Sequence, residues 1–184
     1  MSTTEKKGDF PPLSITHEAW LKGGKDQEFR EFVASFLKLS NMILESRDWI
    51  AGTVELSGPQ YSVLAYVAQY GTPKVSDIAA DMDVTSNFIT AMVNALEAKG
   101  LVSKVIDEND RRIRRLSLTE KGREAVYTLT PNRRRVNDLF YQGFSREEVE
   151  QLINFIHRLY NNGHNANYQT IGADEMAQSK VALP

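Results

Sequence analysis

Two groups of polar residues near the middle of this 184-residue chain could bind a polyanion. The first group is four arginines within five positions, next to an aspartate: Asp110, Arg111, Arg112, Arg114 and Arg115. They fill the turn between two strand-like runs, and an arginine at such a tip can enter the minor groove of DNA, where negative potential is concentrated. Asp110 lies two residues before Arg112 and could hold its guanidinium by a bidentate pair. The other interpretation is a solvated turn of mixed charge.

The second group lies on a helix that the sequence predicts between a capping Thr85 and a terminating Gly100. Apolar residues at helical spacing should face the core, namely Ile89, Met92, Val93 and Leu96. The opposite side then presents short, nearly uncharged side chains: Ser86, Asn87, Thr90, Ala91 and Asn94. Asparagine can pair with adenine edges in the major groove, while hydroxyls, including that of Thr85, can contact bases or phosphates. Phe88 lies at the boundary, where core packing is commoner than contact with a thymine methyl group.

Both groups need a scaffold that presents a helix and a hairpin together. The surrounding pattern predicts a short helix over 75–82, a turn at Asp83-Val84 and the helix just described. Two strands follow, over 101–106 and 113–118, with the charged turn between them. This order is typical of a winged helix-turn-helix, a DNA-reading module. We therefore expect a mainly α fold with a small β-hairpin wing (α+β).

A long apolar helix is predicted before this module, over 27–51, with Asp26 as its cap and Gly52 at its end. The next helix begins at a capping box formed by Ser57 and Gln60. Large apolar side chains recur along the first helix at helical spacing: Phe29, Phe32, Val33, Phe36, Leu37, Ile43, Leu44 and Ile50. This stripe could be core, or it could be a subunit interface shared with a helix near the C-terminus.

Two further helices are predicted after the wing. Thr119 caps the first, which Pro131 should kink or interrupt. A capping box of Ser145 and Glu148 opens the last, which we expect to end near Asn161. Its apolar face comprises Val149, Leu152, Ile153, Ile156 and Leu159. Residues 162–184 are polar and are expected to be loosely ordered.

The charge of the chain is distributed unevenly. The net charge is −2, but residues 85–135 hold eleven Lys and Arg against six Asp and Glu, a local net charge of +5. Positive charge therefore coincides with the candidate reading module, where a phosphate-binding surface should lie. Chance variation between solvated helix faces is the other interpretation.

Composition excludes several classes of function. The absence of cysteine excludes disulfides and thiolate metal sites. No apolar run reaches about 18 residues and no apolar segment follows the first lysines, so we expect no membrane partner and a cytoplasmic location. The three histidines, His17, His157 and His164, are far apart, and no phosphate-binding loop is evident. The sequence therefore predicts neither an enzyme nor a cofactor.

The segment from Leu56 to about Tyr160 resembles the MarR family of winged-helix transcriptional regulators. The resemblance covers about 105 residues in order, which makes it more specific than a single helix-turn-helix match. The residues that carry it are Leu56-Ser57 with Gln60 and Leu64, Leu96-Glu97 with Lys99-Gly100-Leu101-Val102, Asp107 with Asp110-Arg111-Arg112, Leu116-Ser117-Leu118-Thr119 with Gly122, and Phe144-Ser145 with Glu148.

The resemblance implies a homodimer that grips a pseudo-palindromic site on double-stranded DNA, more often as a repressor. It implies that Arg112 enters the minor groove, that Asp110 orients it, and that the helix after Thr85 reads the major groove. It also divides the chain into an N-terminal extension (1–26), an N-terminal dimerisation helix (27–55), the winged helix-turn-helix (56–119), C-terminal dimerisation helices (120–161) and a tail (162–184).

Family members often bind small aromatic or phenolic effectors between the dimerisation and DNA-reading parts. Candidate walls for such a ligand here are Trp20, Phe36, Trp49, Tyr61 and Tyr66, although core packing is the commoner role for each. The chain departs from the family at Ala91 and Ala95, where arginines are frequent. These departures leave open an alternative function, a winged-helix interaction or scaffold module with weak or lost specific DNA binding.

Overall fold

A computed structural model describes residues 11–107 and 113–171, without the side chains of Tyr168 and Ile171. After a 3₁₀ turn over Glu18–Trp20, the helices and strands are α1 (Gln27–Gly52), α2 (Gly58–Tyr70), α3 (Val75–Asp81), α4 (Ser86–Ala98), β1 (Val102–Ile106), β2 (Arg114–Leu118), α5 (Glu120–Phe140) and α6 (Arg146–Ile171). The strands pair antiparallel, with Val102 opposite Leu118 and Ile106 opposite Arg114. This architecture confirms the predicted fold class. The chain divides into two compact units, with the boundary between Ser46 and Arg47.

Short polar signals set the starts of the helices in the second unit. Ser57 Oγ accepts a hydrogen bond from Gln60 N, and Gln60 Oε1 accepts one from Ser57 N, which confirms the predicted capping box. The same reciprocal pair forms between Ser145 and Glu148 at the start of α6. Each box satisfies backbone N–H groups that a helix start would otherwise leave unpaired.

The core of the second unit lies between α2, α3, α4 and the hairpin. Its largest fully buried side chains are Leu64, Ile78, Ile89, Leu96, Leu116, Val63, Val67, Val93 and Val102. Those of α4 recur at helical spacing and those of the strands point to the helices, so α4 has one buried side and one exposed side. The core thereby fixes which side of α4 faces outward.

Gly122 allows α5 to start against the hairpin. A Cβ atom at this position would lie 2.0 Å from the backbone oxygen of Leu101, which no real side chain tolerates. That oxygen also accepts a hydrogen bond from Thr119 N at 3.1 Å, while Thr119 Oγ1 donates to Gly100 O at 2.6 Å. Thr119 and Gly122 therefore join the end of the wing to α5 by close backbone contact.

The first unit has its own polar and aromatic contacts. The carboxylate of Asp26 is buried and accepts hydrogen bonds from Ser14 N, Ser14 Oγ and Arg30 Nε. Hydrogen bonds from Arg30 and Ser14 hold the pKa of Asp26 well below its usual range. The ring of Trp20 lies 5.4 Å from that of Phe29 and 5.0 Å from that of Phe32. Asp26 precedes α1 as expected, but its carboxylate ties residue 14 to the helix.

The structure differs from the sequence prediction in two helices. Pro131 does not interrupt α5, which is continuous from Glu120 to Phe140. The loss of one backbone hydrogen bond is outweighed by tertiary packing of the apolar side of α5, where Leu129 is buried. The last helix does not end near Asn161 but continues to Ile171. Residues 162–171 do not continue the apolar stripe, but none of them is a proline that would end the helix.

Among the residues that the structure describes, no helix is both long enough and apolar enough to cross a membrane.

Candidate nucleic-acid interface

The outer side of α4 is a polar surface with no bulky or charged side chain at its centre. Ser86, Asn87, Thr90, Ala91 and Asn94 are all exposed, as the sequence predicted. Apolar residues on the opposite side, Ile89, Val93 and Leu96, are fully buried. Short polar side chains at exposed helical positions can approach base edges closely. We call this set of five residues the α4 outer face.

Hydroxyl groups near the start of α4 are already engaged with the helix. Thr85 Oγ1 accepts a hydrogen bond from Phe88 N at 3.2 Å, so Thr85 is the N-cap. Thr90 Oγ1 donates to Ser86 O at 2.8 Å, one turn earlier. Each hydroxyl keeps part of its hydrogen-bonding capacity, since an oxygen with a donor and two lone pairs makes more than one bond. Phe88 is half-buried and packs against the core, in line with its expected role.

Asn94 is held by the wing. Lys104 Nζ, from β1, donates to Asn94 Oδ1 at 3.1 Å and to Glu97 Oε2 at 2.8 Å. Both charged side chains are partly exposed, so their pairing contributes little to the stability of the fold. Its geometric effect is to join the last turns of α4 to the hairpin. Lys104 is not among the DNA-binding residues predicted from the sequence, although its positive charge and its place in the strand after the helix are visible there.

The base of the wing is tied to the loop between α2 and α3. Arg115 pairs with the buried carboxylate of Asp107, and its Nη1 donates to Thr72 O at 2.9 Å. Leu116 N donates to Pro73 O at 2.9 Å, and Lys74 forms an isolated bridge with Arg115. Arg115 is therefore not at the wing tip, where its sequence position placed it, because two acceptors on either side of β2 hold its guanidinium.

The tip of the wing lies outside the described residues. Three of the predicted DNA-binding residues, Asp110, Arg111 and Arg112, belong to this stretch. Arg114 lies at the start of β2, where it is exposed and opposite Ile106. Asp107 N donates to Ile113 O at 3.1 Å, so the antiparallel pairing continues one step toward the tip. The described part of the hairpin thus extends from the α4–Lys104 contact to Asp107 and Ile113.

The predicted ligand-wall residues fall in different surroundings. In the first unit, Trp20 packs on Phe29 and Phe32, and Phe36 lies 6.0 Å from Phe32, ring centre to ring centre. These contacts form one aromatic row along α1.

In the second unit, Trp49 is exposed, whereas Tyr61 and Tyr66 are half-buried against the core. Tyr66 Oη donates to Asp81 Oδ2, and its ring lies 4.3 Å from that of Tyr70. The hydrogen bond to Asp81 raises the pKa of Tyr66 to about 12, since ionisation would break it and place two negative charges together. Tyr66 therefore links α2 to α3 as a neutral donor.

Comparison with known proteins gives a consistent result. The sequence profile of the MarR family matches residues 56–113. The HTH-type transcriptional repressor MdtR of Bacillus subtilis (strain 168) is 29% identical over 126 residues, which are 68% of this chain and 79% of MdtR.

Two solved structures share the fold at 25% sequence identity. The transcriptional regulator BldR from Sulfolobus solfataricus aligns with a TM-score of 0.60, over 73% of this chain and 96% of BldR. A MepR-like protein complexed with pseudoligands aligns with a TM-score of 0.53, over 72% of this chain and 91% of that protein.

A helix with a polar outer face, followed by a hairpin tied to its last turns, defines a winged helix-turn-helix protein. Together with the profile match, this architecture identifies residues 56–113 as a MarR family domain, and the chain as a whole is similar to transcriptional regulators of this type.

Proposed function

We propose that this regulator binds a pseudo-palindromic operator as a homodimer and represses transcription, with α4 as its recognition helix. The observation that carries the proposal is the α4 outer face, which is exposed, polar and joined to the wing. Its asparagines and hydroxyls match the donors and acceptors of the major groove. The wing arginines supply the charge that attracts DNA independently of sequence. The name of MdtR as a repressor supports this direction of regulation.

Homodimerisation is supported by apolar helix faces that this chain leaves exposed. On α6, Ile153, Ile156 and Leu159 lie on one side of the helix, and each is more than 40% exposed. On α1, exposed apolar residues recur over about three turns: Phe32, Val33, Phe36, Leu37, Leu39, Met42 and Ile43. Burial of apolar surface is favourable by about 25 cal/mol per Å². A second copy would cover both faces, which explains why helices outside the reading module carry so much apolar surface.

A dimer gives the recognition helices a fixed spacing. Two copies of α4 that read successive major-groove faces must lie about 34 Å apart, one helical turn of DNA. An effector that binds one spacing better than another shifts the population toward that spacing. The MepR-like structure in complex with pseudoligands supports ligand control of this kind. A small aromatic effector is proposed for this chain, with Trp20, Phe36, Trp49, Tyr61 and Tyr66 as candidate contacts.

The alternative function is a winged-helix interaction module with weak specific DNA binding. Two observations favour it. The exposed position 91 on the α4 outer face is an alanine and not a positively charged residue, and the whole chain has a net charge of −2. Either function is non-enzymatic, in keeping with the regulator names of the similar proteins.

A direct binding assay separates the two functions. Fluorescence polarisation would follow the full-length protein titrated against labelled DNA from upstream of its own gene, at two salt concentrations. A shuffled duplex of the same composition is the control. We expect tighter binding to the natural duplex, and weaker binding to both duplexes at high salt because released counterions oppose binding. Equal affinity for the natural and shuffled duplexes at both salt concentrations would contradict the regulator.

A further inference from the structure

The side chain of Lys104 connects β1 to α4, because its Nζ donates to Asn94 Oδ1 at 3.1 Å and to Glu97 Oε2 at 2.8 Å. Asn94 and Glu97 are three residues apart, so both lie on the same side of the helix, next to the strand. About a third of the Lys104 side chain remains exposed. The contact therefore sits at the surface where α4 and the wing meet.

The chemistry of lysine fixes the orientation of the Asn94 amide. An ammonium group has three donors and no acceptor. The amide atom that faces Lys104 Nζ must be the oxygen, because the amide nitrogen at that place would set N–H groups against each other. Nδ2 of Asn94, with its two N–H donors, therefore points away from Lys104. Among the described residues, Nδ2 has no protein acceptor.

This orientation changes which base Asn94 can read. An asparagine that recognises adenine accepts a hydrogen bond from N6 and donates one to N7. In this protein Asn94 Oδ1 already accepts a hydrogen bond from the ammonium group of Lys104, and the positive charge of that group repels the amino group of adenine. Guanine offers two acceptors, N7 and O6, at the same edge. Resting on the DNA-binding function above, we propose that the Asn94–Lys104 pair presents donors to the major groove and selects guanine at the base pair it faces.

Lys104 acts through Asn94 and is a positioning residue. Glu97 completes the arrangement, because its carboxylate holds the ammonium group at the side of the amide. The guanine preference differs from the adenine pairing that asparagine alone would suggest. The difference arises from a contact between the helix and a strand ten residues later, Asn94 to Lys104.

Selection from an operator with randomised half-sites tests the proposal in the full-length protein. Wild type should select guanine at one position of each half-site. Lys104→Met removes the donors while keeping a chain of similar length, so preference at that position should shift from guanine toward adenine by about tenfold. Lys104→Arg, which restores donation, should recover the guanine preference. Asn94→Ala should lose the preference at this position and leave the other positions unchanged.

Lys121→Met is the matched control, because it makes the same substitution at an exposed lysine of α5, whose Nζ donates to Lys99 O and not to the α4 outer face. It should keep the guanine preference. A uniform loss of affinity in Lys104→Met, with guanine still selected, would overturn the proposal and assign Lys104 a phosphate contact. A selective wild type whose preference is the same in Lys104→Met would also overturn it. A wild type that selects no sequence at all would instead overturn the proposed function, and this inference with it.

A measurement without DNA gives independent support. The side-chain amide of Asn94 can be followed by nitrogen–proton NMR in the free protein. Its two proton signals should move in Lys104→Met and stay near the wild-type positions in Lys104→Arg. Signals that are the same in all three proteins would contradict the amide contact itself.

Discussion

Helices α4 and α6 have the same kind of amphipathic sequence but opposite surroundings. In α4, the apolar residues Ile89, Val93 and Leu96 are 0% exposed, and the polar side faces outward. In α6, apolar residues at equivalent spacing are exposed to solvent: Ile156 is 42% and Leu159 is 46% exposed. The apolar side of α4 is covered by its own chain. That of α6 is exposed in the part of the chain that the structure describes, and the proposed second copy would cover it.

This contrast separates two roles of apolar periodicity. A stripe that meets α2 and α3 of the same chain builds the reading module. A stripe of similar composition on a flanking helix builds the dimer that we propose.

Introducing a charge into the open stripe of α6 should have the largest effect on DNA binding. Ile156→Glu would place a carboxylate in the proposed interface, so the mass in light scattering should fall from that of two chains to that of one chain, 20.8 kDa. Operator affinity should fall by about 100-fold or more, because the two reading modules are no longer linked. Asn154→Glu, on the exposed polar side of α6, is the control and should leave both properties unchanged. A dimeric Ile156→Glu would argue against this face.

The buried stripe of α4 should respond differently. Leu96→Ala should lower the free energy of unfolding by about 2–5 kcal/mol through the cavity it leaves. Because the surrounding atoms belong to the same chain, the loss should not depend on protein concentration. Leu159→Ala in α6 is the matched comparison, and its loss in melting temperature should shrink as the dimer is diluted. A concentration-dependent loss in Leu96→Ala, or a concentration-independent loss in Leu159→Ala, would break the comparison.

The wing should affect DNA binding without affecting the fold. Arg112→Ala should weaken binding to all duplexes by about tenfold or more, the usual scale for a charged hydrogen bond. The melting temperature should stay that of wild type. Arg158→Ala removes an arginine from α6 and serves as the charge control. Unchanged DNA affinity of Arg112→Ala at moderate salt would count against the wing.

Local signals in the sequence predicted much of this arrangement. The capping boxes at Ser57 and Ser145 and the cap at Thr85 need only side chains within three residues, so they could be recognised without the fold. The exposed side of α4 followed from helical spacing for the same reason. These signals placed α4 and its exposed polar side correctly along the chain.

Contacts between distant segments could not be predicted in this way. The role of Arg115 depends on Thr72, which lies 43 positions earlier, so its sequence position among the tip arginines was misleading. The orientation of the Asn94 amide depends on Lys104 in the next strand. The path of α5 through Pro131 depends on tertiary packing, which can outweigh local helix propensity.

The smallest predicted effect concerns the contact between Tyr66 and Asp81 within the reading module. Since the pKa of Tyr66 is raised to about 12, the contact stabilises the fold fully below about pH 10 and is lost as the pH rises through about 12. Tyr66→Phe should lower the free energy of unfolding at neutral pH by about 1 kcal/mol or less. In a pH titration followed by absorbance at 295 nm, Tyr66→Phe should lack the tyrosine that ionises at the highest pH in wild type. A variant that keeps this late titration would assign it to another tyrosine.

The central claim is that two copies of α4 and the wing read one operator together. Hydroxyl-radical footprinting of the full-length protein on its selected operator tests this claim most directly. We predict two protected patches whose centres lie about 10 base pairs apart and that disappear together in Ile156→Glu. A single protected patch, retained by Ile156→Glu with wild-type affinity, would contradict the claim.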